Sequence, residues 1–241
     1  MSIEPRQITV SGVRVQVWRK GIKNLHLGVY PPHGRVRVAA PLQVSDAAVR
    51  LAVIGKLGWI KRQRARFAAQ PRESRREMVS GESHYFLGRR YRLRVMKHEG
   101  PPAVALRNRF IELSVRPGLA ETQREAVLER WYRQQLKQLI PPLIEKWQAI
   151  LGVTLAEWGV KKMKTRWGTC NAEARRIWLN LELVKKPVSC LEYIVVHELA
   201  HLITRNHDER FVALMNKHLP QWRAHRAALN AAPLSHSDWN Y

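Results

Sequence analysis

The sequence predicts an α+β fold: a β-rich N-terminal half with one helix, residues 1–117, then an α+β half, residues 118–241. Three observations predict it. Short runs of alternating polar and apolar residues, separated by Gly, Pro and Asn turns, fill much of the first 115 positions. A long helical stretch covers 119–150. Two further strands and three helical segments then close the chain. With 241 residues, 45% of them hydrophobic and 25% charged, the chain can bury a sizeable core as two domains or one integrated domain. That composition excludes a disordered chain.

The elements follow in order. Ile8–Val10 and Val13–Val17 alternate around Ser11-Gly12, a hairpin signal. Leu25–Val29 and Val36–Val38 make a second hairpin around Pro31-Pro32-His33-Gly34. Ser45-Asp46 caps a helix reaching about Ala69, with Val49, Val53, Leu57 and Ile60 as its apolar stripe. Hairpins follow at Gly81–Val95, turning at Gly88-Arg89, and at Val104–Val115, turning at Arg107-Asn108. The stretch 119–150 starts with Glu121 and Glu125, which complement the helix dipole, and Pro141-Pro142 should kink or split it. Strands return near Leu155–Val160 and Ile177–Leu183, then helices near 190–205, 208–218 and 221–231. No internal repeat is visible, and the boundary falls at Pro117-Gly118.

Charge and cysteine content narrow the function. Forty-two Lys and Arg against nineteen Asp and Glu give a net charge of +23, a field that draws polyanions. Lys61, Arg62, Arg64 and Arg66 form one basic cluster on the first helix, extended by Arg72, Arg75 and Arg76, and are the candidate nucleic-acid contacts. Arg89, Arg90, Arg92 and Arg94 form a second cluster, and Lys161, Lys162, Lys164 and Arg166 a third; a merely solvated surface is the plainer reading of all three. Two cysteines, Cys170 and Cys190, exclude a disulfide scaffold and read as reduced thiols. No apolar run approaches a membrane span, and the N-terminus lacks a leader pattern, so a soluble cytoplasmic protein is expected.

The informative segment is His197-Glu198-Leu199-Ala200-His201, with His207 six residues later. Histidines at i and i+4 share one side of a helix and can bind one metal ion, with Glu198 adjacent. Ser189-Cys190-Leu191-Glu192 has the form of a capping box for that helix. Leu191, Val195, Leu199 and Leu202 form its apolar stripe, and both histidines project away from it. A chance H-E-x-x-H with a histidine at this offset has odds of about one in a thousand.

Zinc suits imidazole donors, and catalytic zinc takes three protein ligands plus water. A downstream glutamate as third ligand is nearly closed off, since no Glu follows Glu209. His207 is the favoured third ligand, with Asp208, Glu209 and His218 behind it. Related spacings place Gly midway, where this chain has Thr204; Asn206 can turn the chain instead, because Asn tolerates the left-handed conformation.

With these residues in view, the chain resembles the YgjP-like family of zinc metallopeptidases, more distantly the SprT-like proteases. Two blocks carry the resemblance: Lys164-Thr165-Arg166-Trp167-Gly168-Thr169-Cys170 with Ile177–Asn180, and Val195–Leu202 with Asn206-His207 and Phe211. The resemblance implies a zincin-like fold, in which the active-site helix lies beneath an edge strand that lays out substrate. It also implies one zinc ion on His197, His201 and His207, with Glu198 catalytic. Trp167–Cys170 reads by itself as a packing Trp, a tight-turn Gly and a buried thiol, with a place lining the cleft as the alternative; Cys170 as a ligand would make a different site.

The expected reaction is peptide hydrolysis with Glu198 as general base on a metal-held water. Arg166, Tyr193 and Arg205 are candidate donors to the oxyanion. A protein or peptide is the expected substrate. Two rivals remain: a zinc-dependent RNA hydrolase of the YbeY-like kind, whose motif has Gly at the position of Glu198, and a non-catalytic nucleic-acid-binding zinc protein.

Overall fold

The computed structural model describes residues 6–30, 34–69, 76–163 and 166–231. Within these the fold is mixed α+β, built from several small sheets and helices. Pro31–His33, Arg72, Arg75, Lys164 and Thr165 lie outside the described residues, as does the side chain of Arg66. The chain divides into two compact units, the first holding 6–69 and the second 76–231 of the described residues.

In the first unit, β1 (Arg6–Val10), β2 (Val13–Lys20), β3 (His26–Tyr30) and β4 (Arg35–Pro41) form a sheet in the order β1-β2-β4-β3. The β1–β2 turn forms at Ser11-Gly12, where both residues have positive φ, as a two-residue primed turn requires. Strands β2 and β4 pair in parallel, Val17 opposite Val38, while β3 returns antiparallel to β4. Alternation puts Val13, Val15, Val17, Val36, Val38 and Ala40 on one buried face. Against it pack Val49 and Val53 of α1 (Asp46–Ile54) and Ile60 of α2 (Leu57–Ala69).

Ser45 caps α1 as the sequence indicates, its side chain accepting from the Ala48 N–H at 3.2 Å. The single helix expected to reach Ala69 is instead two. Gly55 ends α1, and the Lys56 N–H bonds back only to Val53, so the chain restarts at Leu57.

The second unit opens with β5 (Ser83–Phe86), β6 (Arg89–Lys97), β7 (Ala103–Arg107) and β8 (Phe110–Val115), in the order β5-β6-β8-β7. Its β6–β8 pair is parallel and its outer pairs antiparallel, which repeats the plan of the first sheet. The repetition is invisible in the sequence because strand order depends on pairing, not on residue identity.

The helix α3 (Glu121–Leu151) continues as one helix through Pro141 and Pro142, so the split that the prolines suggested does not occur. Its buried stripe explains why: Leu128, Tyr132, Leu136, Ile140, Ile144 and Trp147 all enter the core of the second unit. That burial outweighs two lost backbone bonds. The same core takes Ile111, Leu113 and Val115 of β8, so Pro117-Gly118 lies inside the unit. The division falls near residue 75, some forty residues before the boundary the composition suggests.

A third sheet, order β10-β11-β9, contains β9 (Glu157–Lys161), β10 (Gly168–Asn171) and β11 (Arg176–Asn180). Strand β11 pairs parallel with β9 and antiparallel with β10, which leaves β10 at the edge. A 3-10 turn, Leu181–Lys185, leads into α4 (Val188–Ala200), followed by α5 (Glu209–His218) and α6 (Trp222–Ala231). Helix α4 is buried nearly all round, with only a narrow polar opening. Its cap differs from expectation. The helix begins after Pro187, so Ser189 sits inside the first turn. Glu192 reaches α3 instead, accepting from Lys146 Nζ at 2.7 Å and Trp147 Nε1 at 2.9 Å. Among the described residues no helix is long and apolar enough to cross a membrane.

Candidate active site

Helix α4 presents His197 and His201 on one side, one turn apart, and the chain after it brings His207 back. The return needs no left-handed residue. Leu202 and Ile203 donate to Leu199 and Ala200, which tightens the last turn, and neither Thr204 nor Asn206 has positive φ. The role expected for Asn206 is thus unnecessary. Thr204 is buried and does the turning, its hydroxyl donating to the Asn206 carbonyl at 3.3 Å and to Asp208 Oδ1 at 3.4 Å.

One nitrogen from each of the three imidazoles lies within 4.8 Å of the others. His207 Nε2 and His197 Nε2 are 3.0 Å apart, and the ring centroids are 4.8 to 4.9 Å apart. His201 Nδ1 donates to the Thr204 carbonyl at 3.1 Å, which leaves Nε2 with a free lone pair. Burial, with the neighbouring histidines and Arg226 adding to it, pushes His197 down to about 3, and His207 is lowered too. His197 is thus a neutral donor at neutral pH.

Tetrahedral zinc with ligand distances near 2.05 Å needs nitrogens about 3.3 Å apart. The observed spacings bracket that value, so this trio can hold one divalent cation. Phe211 backs the cluster, its ring centroid 4.7 to 5.2 Å from all three imidazoles. The other ligand candidates are elsewhere. Asp208 caps α5, accepting from the Phe211 N–H at 3.0 Å, and Glu209, His218 and Cys170 are not in the cluster.

Glu198 is 5% exposed and sits directly under β10. A Cβ on Gly168 would lie 2.5 Å from Glu198 Oε1, so only glycine lets the strand pass this close. Burial pushes the Glu198 carboxyl up to about 8, with Arg166 pulling the other way. Cys170 is also raised, to about 11, by burial and by Glu198; both cysteines are free thiols. The segment Trp167–Cys170 therefore lines the cleft, and Gly168 lies in a strand rather than the tight turn the sequence suggested.

Asn180 fixes the approach to that strand. Its side-chain amide donates to the Met163 and Arg166 carbonyls at 2.7 Å each. The cleft has a volume of about 960 Å³ and takes in β10, the histidine trio and one side of α6. Arg166, Tyr193 and Arg205, the oxyanion candidates, all line it. Tyr193 is buried, its ring edge-on to His197 with centroids 5.7 Å apart. Arg226 of α6 also lines the cleft, and sequence reasoning missed it, because the last helix carries no motif to mark it. Lys61, Arg62 and Arg64 lie exposed on α2 in the first unit and are not part of this site.

The family comparison fits this geometry. The pattern described as YgjP-like, metallopeptidase domain, matches residues 23–232. The chain belongs to the YgjP-like metallopeptidase family. Among solved structures, it is similar to the metallopeptidase zymogen abylysin of Pyrococcus abyssi, at 22% identity and a TM-score of 0.35, over 36% of this chain and 89% of that one. No curated protein matches.

Proposed function

We propose that this YgjP-like protein is a zinc-dependent peptidase of the H-E-x-x-H type with a zincin-like active site, acting on a protein or peptide. One observation carries the reading: three imidazole nitrogens within 4.8 Å of one another, beside a buried glutamate, in an open cleft. His197, His201 and His207 would hold the ion, which when bound supplies Lewis acidity and a more acidic water. Glu198 accepts the proton of the attacking water and returns it to the leaving amine nitrogen. The edge of β10 takes an extended substrate by strand addition, through backbone groups that β11 leaves unpaired. Arg166, Tyr193 and Arg205 are the donors available to a developing oxyanion.

Glu198 also separates this reading from RNA hydrolysis: a cation on the trio would favour its ionised form against the burial that raises its pKa, and a carboxylate there suits water activation for amide cleavage. Glu198→Gln should retain stoichiometric zinc by elemental analysis and lose about 10²- to 10⁴-fold in kcat on an unfolded protein substrate. His207→Ala should lose the zinc. Full activity in Glu198→Gln would end the general-base assignment.

A further inference from the structure

Helix α4 sets the layout of the cleft. Around it Tyr193 and Glu198 lie about 140° apart, with His197 and His201 between them. Strand β10 passes over the Glu198 side, where Gly168 gives it room, and α6 packs on the Tyr193 side. The Trp222 ring stacks on Tyr193 with centroids 6.4 Å apart, and Leu229 is buried further along the same helix. The trio is therefore the floor between two walls, one a strand edge and the other a helix.

Arg226 stands in the middle of the helical wall. It lies four residues after Trp222 and three before Leu229, so all three share one face of α6. Arginine can hold such a position because its stem is aliphatic while its guanidinium stays in the open cleft. Its charge acts on Tyr193, His197 and His207, which places it beside that end of the trio. Its neighbour Arg223 is engaged: Nη1 donates to Asn216 Oδ1 at 2.7 Å, and the guanidinium lies 4.6 Å from the Trp222 ring. Elsewhere in the second unit Lys146, Lys162 and Arg176 each pair with a glutamate. Arg226 has no hydrogen-bond or ion-pair partner among the described residues. The acids lining the cleft are Glu173 and Glu198, and both belong to the strand side, Glu198 beneath β10 and Glu173 in the β10–β11 turn.

We infer that Arg226 binds a carboxylate of the substrate chain, which makes an acidic peptide the preferred substrate. This rests on the peptidase reading. A strand added along β10 turns alternate side chains into the cleft, where an Asp or Glu near the scissile bond faces the opposite wall. A guanidinium meets a carboxylate with two parallel N–H donors and an opposite charge, which a neutral amide cannot match, and it repels Lys or Arg at the same place. The terminal carboxylate of the chain can make the same contact, so side chain and terminus are the two sources to be told apart.

Two measurements on the zinc-loaded full-length protein test it. One is kcat/KM on quenched fluorescent peptides, and the other is anisotropy of singly labelled versions bound to the slow Glu198→Gln variant. The peptides carry Glu, Gln or Lys on either side of the central bond with both ends blocked, and a neutral peptide is compared with its C-terminus free and amidated. Glu should exceed Gln by about five- to tenfold in both measurements, and Lys should fall below Gln. Arg226→Gln should bring the Glu-to-Gln ratio to about one, and Arg226→Glu should turn the preference toward Lys, a reversal that a merely structural role would not produce. Should Arg226→Glu not fold, Arg226→Gln and the charge-retaining Arg226→Lys carry the decision. A preference confined to the free C-terminus assigns the terminal carboxylate rather than a side chain. Cleavage without a charge preference, or with one that the Arg226 variants leave intact, overturns the inference and leaves the peptidase reading standing. An Arg226-dependent preference in binding, with no cleavage by the wild type, does the reverse. If no peptide is bound or cleaved, both fall. Displacement of the acidic peptide by oligothymidylate as readily as by polyglutamate would mark a general polyanion site and overturn the carboxylate assignment.

Discussion

Gly168 occupies its place because Glu198 leaves no space for a side chain above it. Its φ is not in the left-handed region, so alanine is tolerated by the backbone and opposed only by Glu198 atoms at 2.5 to 2.8 Å. Gly168→Ala should therefore fold and bind zinc normally while the glutamate is pushed aside. We expect kcat to fall by about 10²-fold with KM little changed, as for a general base moved out of reach. Steady-state kinetics beside a zinc assay would decide, and equal loss of both would mean the strand itself had shifted. His197, Glu198 and His201 were legible in the sequence because helical periodicity alone places them. His207 was legible as an offset, although the turn that returns it uses Thr204 rather than Asn206. Gly168 and Arg226 were not, since each matters only through a neighbour about thirty residues away in the chain.

At the scale of elements, hairpins were found where a turn needed a special backbone conformation, but two turns sit one residue from the expected pairs, Leu87-Gly88 rather than Gly88-Arg89 and Asn108-Arg109 rather than Arg107-Asn108. Ser11-Gly12, Leu87-Gly88 and Asn108 all have positive φ, and Gly or Asn marks each turn in the sequence. Edge strand β10 was missed because four residues are too few for a periodicity, and its partner β11 lies across a turn. Helix α3 shows the opposite failure, a strong local signal overruled by packing. Pro141 and Pro142 are exposed, so they contribute little to the core while removing the donors that the carbonyls of Lys137 and Gln138 would accept from. Replacing both with alanine should stabilise the protein by about 1 to 3 kcal/mol, the interior-proline cost less the entropy that proline removes from the unfolded chain. Urea unfolding would measure it. A loss of stability would show that the rings fit the helix better than the hydrogen-bond account allows.

Over the whole molecule, the two units have separate cores, one from Ile8 to Ile60 and the other from Met78 to Leu229. The histidine trio belongs wholly to the second. An ion bound there stabilises only the state that holds it, by about 2.7 kcal/mol when free metal is a hundred times its Kd. For a unit of this size the gain corresponds to about 5 to 10 °C in Tm. Enthalpies near 0.7 kcal/mol per residue assign about 45 kcal/mol to the first unit and about 110 to the second. Calorimetry with and without a chelator should then resolve two transitions, with only the larger one moving. If the smaller transition moved instead, the ion would be held by the first unit and the histidine trio would lose its role. If both moved together, the units would unfold as one, and the division near residue 75 would not be a thermodynamic boundary.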